Sequence, residues 1–212
     1  MLWQKLLGAK TAGGASPTAS LVGITKTAAA GSTLTIAKPS GVIDGDLLVA
    51  FMSTGTTNGT WTPPSGWTEI LDQSSGGSAR PSVAVMYKVA ASEGTSYSFV
   101  TTGSPVAGLI IAVRSASYGS IGSLALTTAS TSITVPGLAT SNGVIAFVVS
   151  DSGSGSTFTT TSGMTLGDVV DGTSVDQGLF YDLSATGTVA DASFSYNGGA
   201  AVMAGVMVAL GF

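Results

Sequence analysis

The sequence predicts an all-β protein built as a jelly-roll-like antiparallel β-sandwich. Short runs rich in Val, Ile, Thr, Phe and Tyr recur along the chain, as is typical of strands. Clusters of Gly, Pro, Asn and Ser separate these runs at intervals that suit the turns of a sandwich or barrel. No segment sustains the 3.6-residue apolar period of an amphipathic helix.

The predicted strands follow one another closely from residue 33 to residue 210. The segments between them include Pro39–Gly41, Pro63–Gly66, Asn142–Gly143 and Asn197–Gly199, whose residue types favour tight turns. We assign strands to residues 33–37, 47–53, 68–72, 82–89, 96–100, 109–114, 123–127, 132–135, 144–150, 165–170, 178–183, 192–196 and 201–210.

A weak internal duplication divides these strands into two similar sets, which predicts pseudo-repeats at about 31–114 and 123–212. The copies can form two sandwiches or interlock into one. We favour one, because Ile121, Leu124 and Leu126 keep an apolar alternation between the copies, where a flexible linker would be polar. The matching segments, at offsets of 94 to 99 residues, are Thr33–Ile36 with Ser132–Val135, Ser65–Trp67 with Ser162–Met164, Tyr87 with Tyr181, Phe99 with Phe194, and Ala107–Ile110 with Ala204–Met207.

Residues 1–30 are predicted to form an irregular N-terminal arm that precedes a β-sandwich domain at 31–212. Gly13 and Gly14 discourage regular structure in this segment. The arm carries four large apolar side chains that favour docking on a neighbouring subunit or a symmetry mate, and the alternative is that the arm covers an edge of its own domain. These predicted interface residues are Leu2, Trp3, Leu6 and Leu7.

The low charge of the chain indicates a protein that packs against neighbours. Charged residues make up 8% of the sequence, against roughly 25% in a typical soluble domain. All Lys and Arg residues lie at or before Arg114, and the charges after it are all aspartates. Without a basic patch, no nucleic-acid partner is predicted. The apolar runs are too short to cross a membrane as a helix, so no membrane partner is predicted either.

The residues that usually carry catalysis or bind metals are sparse. The chain has no Cys and no His, which removes thiolate metal sites and the commonest general base. The carboxylate pairs Asp44 with Asp46, and Asp171 with Asp176, lie in Gly-rich segments where Asp favours turns. We therefore predict no catalytic residue, no cofactor and no metal site. Calcium binding by these aspartates remains an alternative.

Three aromatic residues raise the possibility of carbohydrate binding. Trp61, Trp67 and Tyr118 could stack on sugar rings, although packing in the core or at its rim is the favoured interpretation.

Five segments together resemble a β-sandwich family of structural proteins from tailed bacteriophages, found as head decoration (cement), fibre and minor tail proteins. The resemblance covers about residues 30–210 and is stronger in the first half. The chain has Val113-Arg114-Ser115 where many relatives have Tyr-Arg-Gly. The segments are Gly41–Ala50, Pro64–Thr68, Val85–Ala90, Ser96–Phe99 and Gly108–Arg114.

The resemblance implies a virion structural protein with no enzymatic activity. We expect a capsid decoration or cement protein that stabilises the head shell, with the major capsid protein or other virion proteins as partners. A homotrimer would suit the local threefold sites of a capsid. The alternative is a tail or fibre module that binds host carbohydrate.

Overall fold

The computed structural model describes residues 17–56, 58–73, 81–152, 155–172 and 174–212. The regular structure in these ranges consists of β-strands, which confirms the predicted all-β class. The first half of the chain, to Arg114, contains β1 (Ser20–Ala29), β2 (Thr33–Ala37), β3 (Leu47–Thr54), β4 (Trp61–Thr62), β5 (Thr68–Gln73), β6 (Ser82–Val89), β7 (Ser96–Thr101) and β8 (Val106–Arg114). The second half contains β9 (Ser117–Ile121), β10 (Ala125–Leu126), β11 (Ser132–Val135), β12 (Ala139–Thr140), β13 (Val144–Ser150), β14 (Phe158–Thr160), β15 (Thr165–Asp171), β16 (Asp176–Asp182), β17 (Gly187–Thr188), β18 (Ala192–Tyr196) and β19 (Met203–Gly211).

Each half forms a large antiparallel sheet, here called its inner sheet, and a three-stranded outer sheet. In the first half the inner sheet has the order β1-β8-β3-β6-β5 and the outer sheet the order β2-β7-β4. In the second half the corresponding orders are β10-β19-β13-β16-β15, with β9 also paired to β19, and β11-β18-β14. β12 and β17 form a separate pair. Within the described residues, no sheet combines strands from both halves.

Three hydrophobic clusters show that the four sheets stack in the order outer, inner, inner, outer. The first cluster lies between the two sheets of the first half and includes Leu34 and Met86. Its counterpart in the second half includes Ile133 and Met207. The third cluster joins the two inner sheets to each other. The protein therefore consists of two β-sandwiches packed back to back.

The inner sheets are covered on both faces, which explains their sequences. β3 and β13 are buried along their whole length, so both carry continuous apolar runs where a half-exposed strand would alternate. Phe51 in β3 and Phe147 in β13 stack across the interface with ring centroids 4.9 Å apart. These two residues hold equivalent positions in their sheets, so the interface pairs a residue with its own counterpart, as at a twofold axis.

The equivalence of the halves extends to local backbone features. Gly66 and Gly163 precede the edge strands β5 and β15 with φ of 82° and 78°. Each edge strand then shifts register after two residues, between Glu69 and Leu71 in β5 and between Leu166 and Asp168 in β15. The two copies thus share a turn and a bulge as well as a strand order.

The structure differs from the sequence-based expectations at the N-terminus, in the number of sandwiches, and in five short strands that were not predicted, namely β4, β9, β12, β14 and β17. Ser20–Ala29, predicted as part of an irregular arm, is β1 and pairs with β8 at the edge of the first inner sheet. Gly23 and Lys26 interrupt its apolar pattern, which hid the strand. The expected single interlocked sandwich is replaced by two, because each inner sheet buries its second face on the other half. The antiparallel sandwich architecture is confirmed, and the jelly-roll description stays a prediction.

Candidate functional site

The exposed faces of the two outer sheets carry hydroxyl groups and no charge. Side chains in β2 and β11 alternate between core and solvent, so that Thr33 and Thr35 are exposed on one and Ser132 and Thr134 on the other. The remaining exposed strand residues are Ala37, Thr62, Ser96, Ser98 and Val100 in the first outer sheet, and Thr159, Ser193 and Ser195 in the second.

These hydroxyls face one another across neighbouring strands. Thr35 lies opposite Ser98, and Thr134 lies opposite Ser193 with their hydroxyl oxygens 3.1 Å apart. Each hydroxyl can donate one hydrogen bond and accept others. Such a face can be covered by another protein without the cost of removing charged groups from water.

The two hydroxyl faces point in opposite directions, because the outer sheets are the first and last of the four stacked layers. Among the described strand residues exposed on these sheets there is no Asp, Glu, Lys or Arg. The buried centres of protein interfaces are likewise depleted in charged residues. The arrangement therefore provides two contact surfaces on one body, and we treat them as the candidate functional site.

The first predicted carboxylate pair supports the fold. Asp46 is 2% exposed and accepts hydrogen bonds from Arg114 Nε at 2.9 Å and Nη2 at 2.8 Å. Burial raises the pKa of Asp46, but the hydrogen bonds from Arg114 and from the Ile43 backbone outweigh burial, so the pKa is lowered overall. Asp44 accepts a hydrogen bond from the Ser92 backbone N–H at 2.7 Å. Asp46 thus joins the loop before β3 to the end of β8, and Asp44 joins the same loop to the loop after β6.

The second carboxylate pair occupies opposite positions on β15 and β16. Asp171 is exposed and accepts a hydrogen bond from the Gly155 backbone N–H at 3.0 Å. Asp176 is fully buried, and the Tyr196 hydroxyl lies 2.7 Å from its Oδ2. The structure therefore brings these two residues together, with one carboxylate exposed and the other buried.

The three aromatic residues considered for sugar binding all contact other parts of the protein with their rings. Trp61 and Trp67 are 5% and 7% exposed. Trp67 packs edge-on against Tyr97 with ring centroids 5.2 Å apart. Tyr118 stacks on Tyr87 at 4.4 Å. Trp61 and Trp67 therefore pack in the core, and Tyr118 is half-buried at its rim.

The predicted interface residues Leu2, Trp3, Leu6 and Leu7 lie outside the described residues. In the part of the chain that the structure describes, no group of three or more His, Cys, Asp or Glu residues could hold a metal ion. The same part contains no helix long and apolar enough to cross a membrane.

Comparison with known proteins adds no support to the resemblance inferred from the motifs. No family model matches the chain. No curated protein and no solved structure shows significant similarity to it either. The likeness to phage structural proteins thus stays a prediction that rests on the five segments quoted above.

The hydroxyl faces were missed by sequence reasoning, although their signal is visible. Thr33–Ile36 and Ser132–Val135 both alternate hydroxyl and apolar residues. Both segments are predicted as strands from their residue types, and their hydroxyl positions also mark an uncharged exposed face. Their orientation away from each other depends on how the inner sheets pack, which the alternation does not encode.

Proposed function

We propose that the protein is a non-enzymatic structural component of a phage virion, a decoration protein that bridges neighbouring subunits of the capsid shell. The observation that supports this proposal is the pair of uncharged hydroxyl faces on opposite sides of one body. A body with two similar faces pointing apart can contact two neighbours at once. Cementing a shell requires such bridging contacts.

A bridging protein must also resist deformation between its two faces. The inner interface supplies this resistance, since both inner sheets are buried on both sides. Gln177 links the two sandwiches, because its Nε2 donates hydrogen bonds to Ser53 Oγ and, at 2.9 Å, to the Ala107 carbonyl of the other sandwich. All three residues are buried. Polar anchoring of this kind opposes sliding of one sandwich over the other.

The chemistry of the faces sets the expected salt dependence. Burial of apolar surface contributes roughly 25 cal/mol per Å² and is not screened by salt. Because the exposed strand residues of both outer sheets are uncharged, binding to the shell should change little between low and moderate salt.

Two matched substitutions test the faces directly. Thr35→Lys and Thr134→Lys each place a charge in one outer face, and Thr188→Lys places the same charge on the exposed strand β17, which belongs to neither outer sheet. Binding is measured by cosedimentation with undecorated heads of the encoding phage, after the melting temperature of each variant has been checked. The two face variants should lose binding and the β17 control should retain it. Equal binding by all three would exclude the outer faces as the contact surface.

The partner and the oligomeric state follow from the same proposal. We expect the major capsid protein as the partner and a homotrimer at local threefold positions. Light scattering on the purified protein measures the oligomer, and electron microscopy of the particle locates the protein. A position on the tail would instead support the host-binding alternative.

A further inference from the structure

One end of the second sandwich contains a cavity of about 170 Å³. Val144 and Ala192, both buried, contribute its apolar interior. Met164 and Val189 add further apolar surface, and the half-buried Asp182 and the exposed Asp191 also line it. The cavity therefore combines an apolar interior with negative charge.

Strand register shows that aromatic rings occupy the corresponding place in the first sandwich. Trp67 and Met164 hold equivalent positions, because each comes directly before the edge-strand residue that pairs with a tyrosine of the neighbouring strand. Tyr97 lies opposite Ile36 in the first outer sheet. Ala192 occupies the equivalent position in the second. Methionine and alanine thus replace a tryptophan and a tyrosine on the same backbone framework, and the missing ring volume accounts for the cavity.

The two carboxylates have capacity for a further partner. Asp182 Oδ1 accepts hydrogen bonds from the Ser184 N–H at 2.9 Å and the Ser184 hydroxyl at 2.7 Å, and Asp191 Oδ1 accepts one from the Gly137 N–H at 2.9 Å. Among the described residues, neither carboxylate forms an ion pair. The sequence from Ser115 onward contains no Lys or Arg that could neutralise them.

The first sandwich has the opposite charge at the matching position. Lys88 lies opposite Leu48 there, as Asp182 lies opposite Val144. Lys88 is already paired with Glu93 at 2.7 Å. The vacant volume and the unpaired negative charge therefore occur together in the second sandwich.

We propose that this cavity binds an aliphatic primary ammonium group, supplied by a lysine side chain or a small free amine. The alkyl stem packs on Val144, Met164, Val189 and Ala192, and the ammonium is held by Asp182 and Asp191. An apolar cavity of about 150 Å³ can hold a benzene-sized molecule, so a four-carbon stem fits. The proposal does not depend on the decoration function.

The first test compares three probes of equal length and different charge. The full-length protein is titrated with n-butylammonium, n-butanol and butyrate while the methyl resonances of Met164 and Val144 are followed by NMR. Butylammonium should bind about five- to tenfold more tightly than butanol, and butyrate should not bind. Equal binding of the ammonium and the alcohol, or no saturable shift with the ammonium, would overturn the proposal.

A fourth probe distinguishes the two sources of the ammonium. Nα-acetyl-lysine methyl amide carries the same stem and charge on a peptide backbone. Tighter binding of this probe than of butylammonium supports a lysine side chain as the natural ligand, and weaker binding supports a free amine.

Variants assign the binding to the cavity. Ala192→Tyr restores the ring found in the first sandwich and should abolish binding, with Met164→Trp as a second variant if the first fails to fold. Replacing Asp182 and Asp191 by Asn keeps their hydrogen-bond acceptors and should remove the preference for the ammonium over butanol. Asp168→Asn, which affects an aspartate paired with Lys26 away from the cavity, is the matched control and should bind normally. Ammonium binding that survives the filling variants would place the site elsewhere and contradict the proposal.

Discussion

The two sandwiches have the same strand order but fill their outer cores differently. In the first, Trp67 packs edge-on against Tyr97 with ring centroids 5.2 Å apart. In the second, Met164 occupies the position of Trp67, and a ring contact is found instead between Phe158 and Tyr196 at 5.0 Å. One framework therefore accepts two distributions of aromatic volume.

The features that both sandwiches retain indicate what fixes the fold. Each presents a phenylalanine at the centre of the inner interface, and Phe51 and Phe147 stack on each other there. Each also has a glycine with positive φ before its edge strand, at Gly66 and Gly163. The inner interface and the turns thus define the architecture, while the outer cores tolerate change.

The inner interface offers the largest expected effect. Phe51→Ala and Phe147→Ala should each lower the free energy of unfolding by about 3–5 kcal/mol, because each removes a fully buried ring. The two losses should be similar, and the double variant should cost less than their sum, because the rings contact each other. Urea unfolding of the four proteins measures this. Strictly additive losses would show that the stacked pair is not energetically coupled.

The outer cores should respond unequally to exchanged residues. Trp67→Met should destabilise the protein by about 2 kcal/mol, because it opens in the first sandwich a gap like that in the second. Met164→Trp should change stability by less than about 1 kcal/mol, because the adjoining cavity can accept part of the ring. Denaturant midpoints of both variants measure the difference. Equal losses of stability from Trp67→Met and Met164→Trp would show that the two outer cores do not differ as described.

The turn glycines should respond equally. Gly66→Val and Gly163→Val should each cost about 1–2 kcal/mol, because a branched side chain is strained at φ of 82° or 78°. Space is not the cause, since a Cβ at Gly163 would meet no atom within 4 Å. Gly94→Val, where the surroundings are also open and φ is not in the positive region, is the control and should have little effect in the same unfolding assay.

The smallest expected effect concerns an ion pair in the first sandwich. The hydrogen bond compared with it in the second sandwich is made by a neutral side chain. Asp46 pairs with Arg114, whereas Asn142 donates a hydrogen bond to the Ser115 carbonyl at 2.6 Å. Asp46→Asn should cost about 1 kcal/mol at pH 7, because Arg114 is 42% exposed and water replaces part of the pairing.

The pH dependence of that effect has a defined sign. The pKa of Asp46 is lowered in the folded protein, so its charge stabilises the fold above the unfolded pKa of about 3.9. This stabilisation is lost as the pH falls through the folded value. The difference between the parent protein and Asp46→Asn should therefore be present at pH 7 and shrink below about pH 4. A difference that stays constant down to pH 2 would contradict this assignment.

Most of the strands could be predicted from the sequence, because strand propensity and turn residues agree over long stretches. The bounds of β2, β6, β11, β13 and β18 were predicted without error. β1 was missed because Gly23 and Lys26 interrupt its apolar pattern, and its place depends on pairing with β8. Two-residue strands such as β4 and β12 depend on tertiary contacts more than on local pattern.

The arrangement of the strands was harder to predict than their positions. Continuous apolar runs such as Leu47–Met52 indicate burial on both faces, but they do not identify the covering layer. The cavity was equally hidden, although the alignment of Trp67 with Met164 is visible in the repeat. The cavity can be recognised only once strand pairing places Ala192 opposite Val135.

Native-state hydrogen exchange tests most directly the central claim that the two sandwiches form one body joined through their inner sheets. The amides of β3 and β13 should be the slowest to exchange, and both strands should exchange with the same free energy as global unfolding, because neither inner sheet can expose its buried face alone. If one of these strands exchanged at a distinctly lower free energy while the other stayed protected, the sandwiches would unfold separately and the account of a single bridging body would be contradicted.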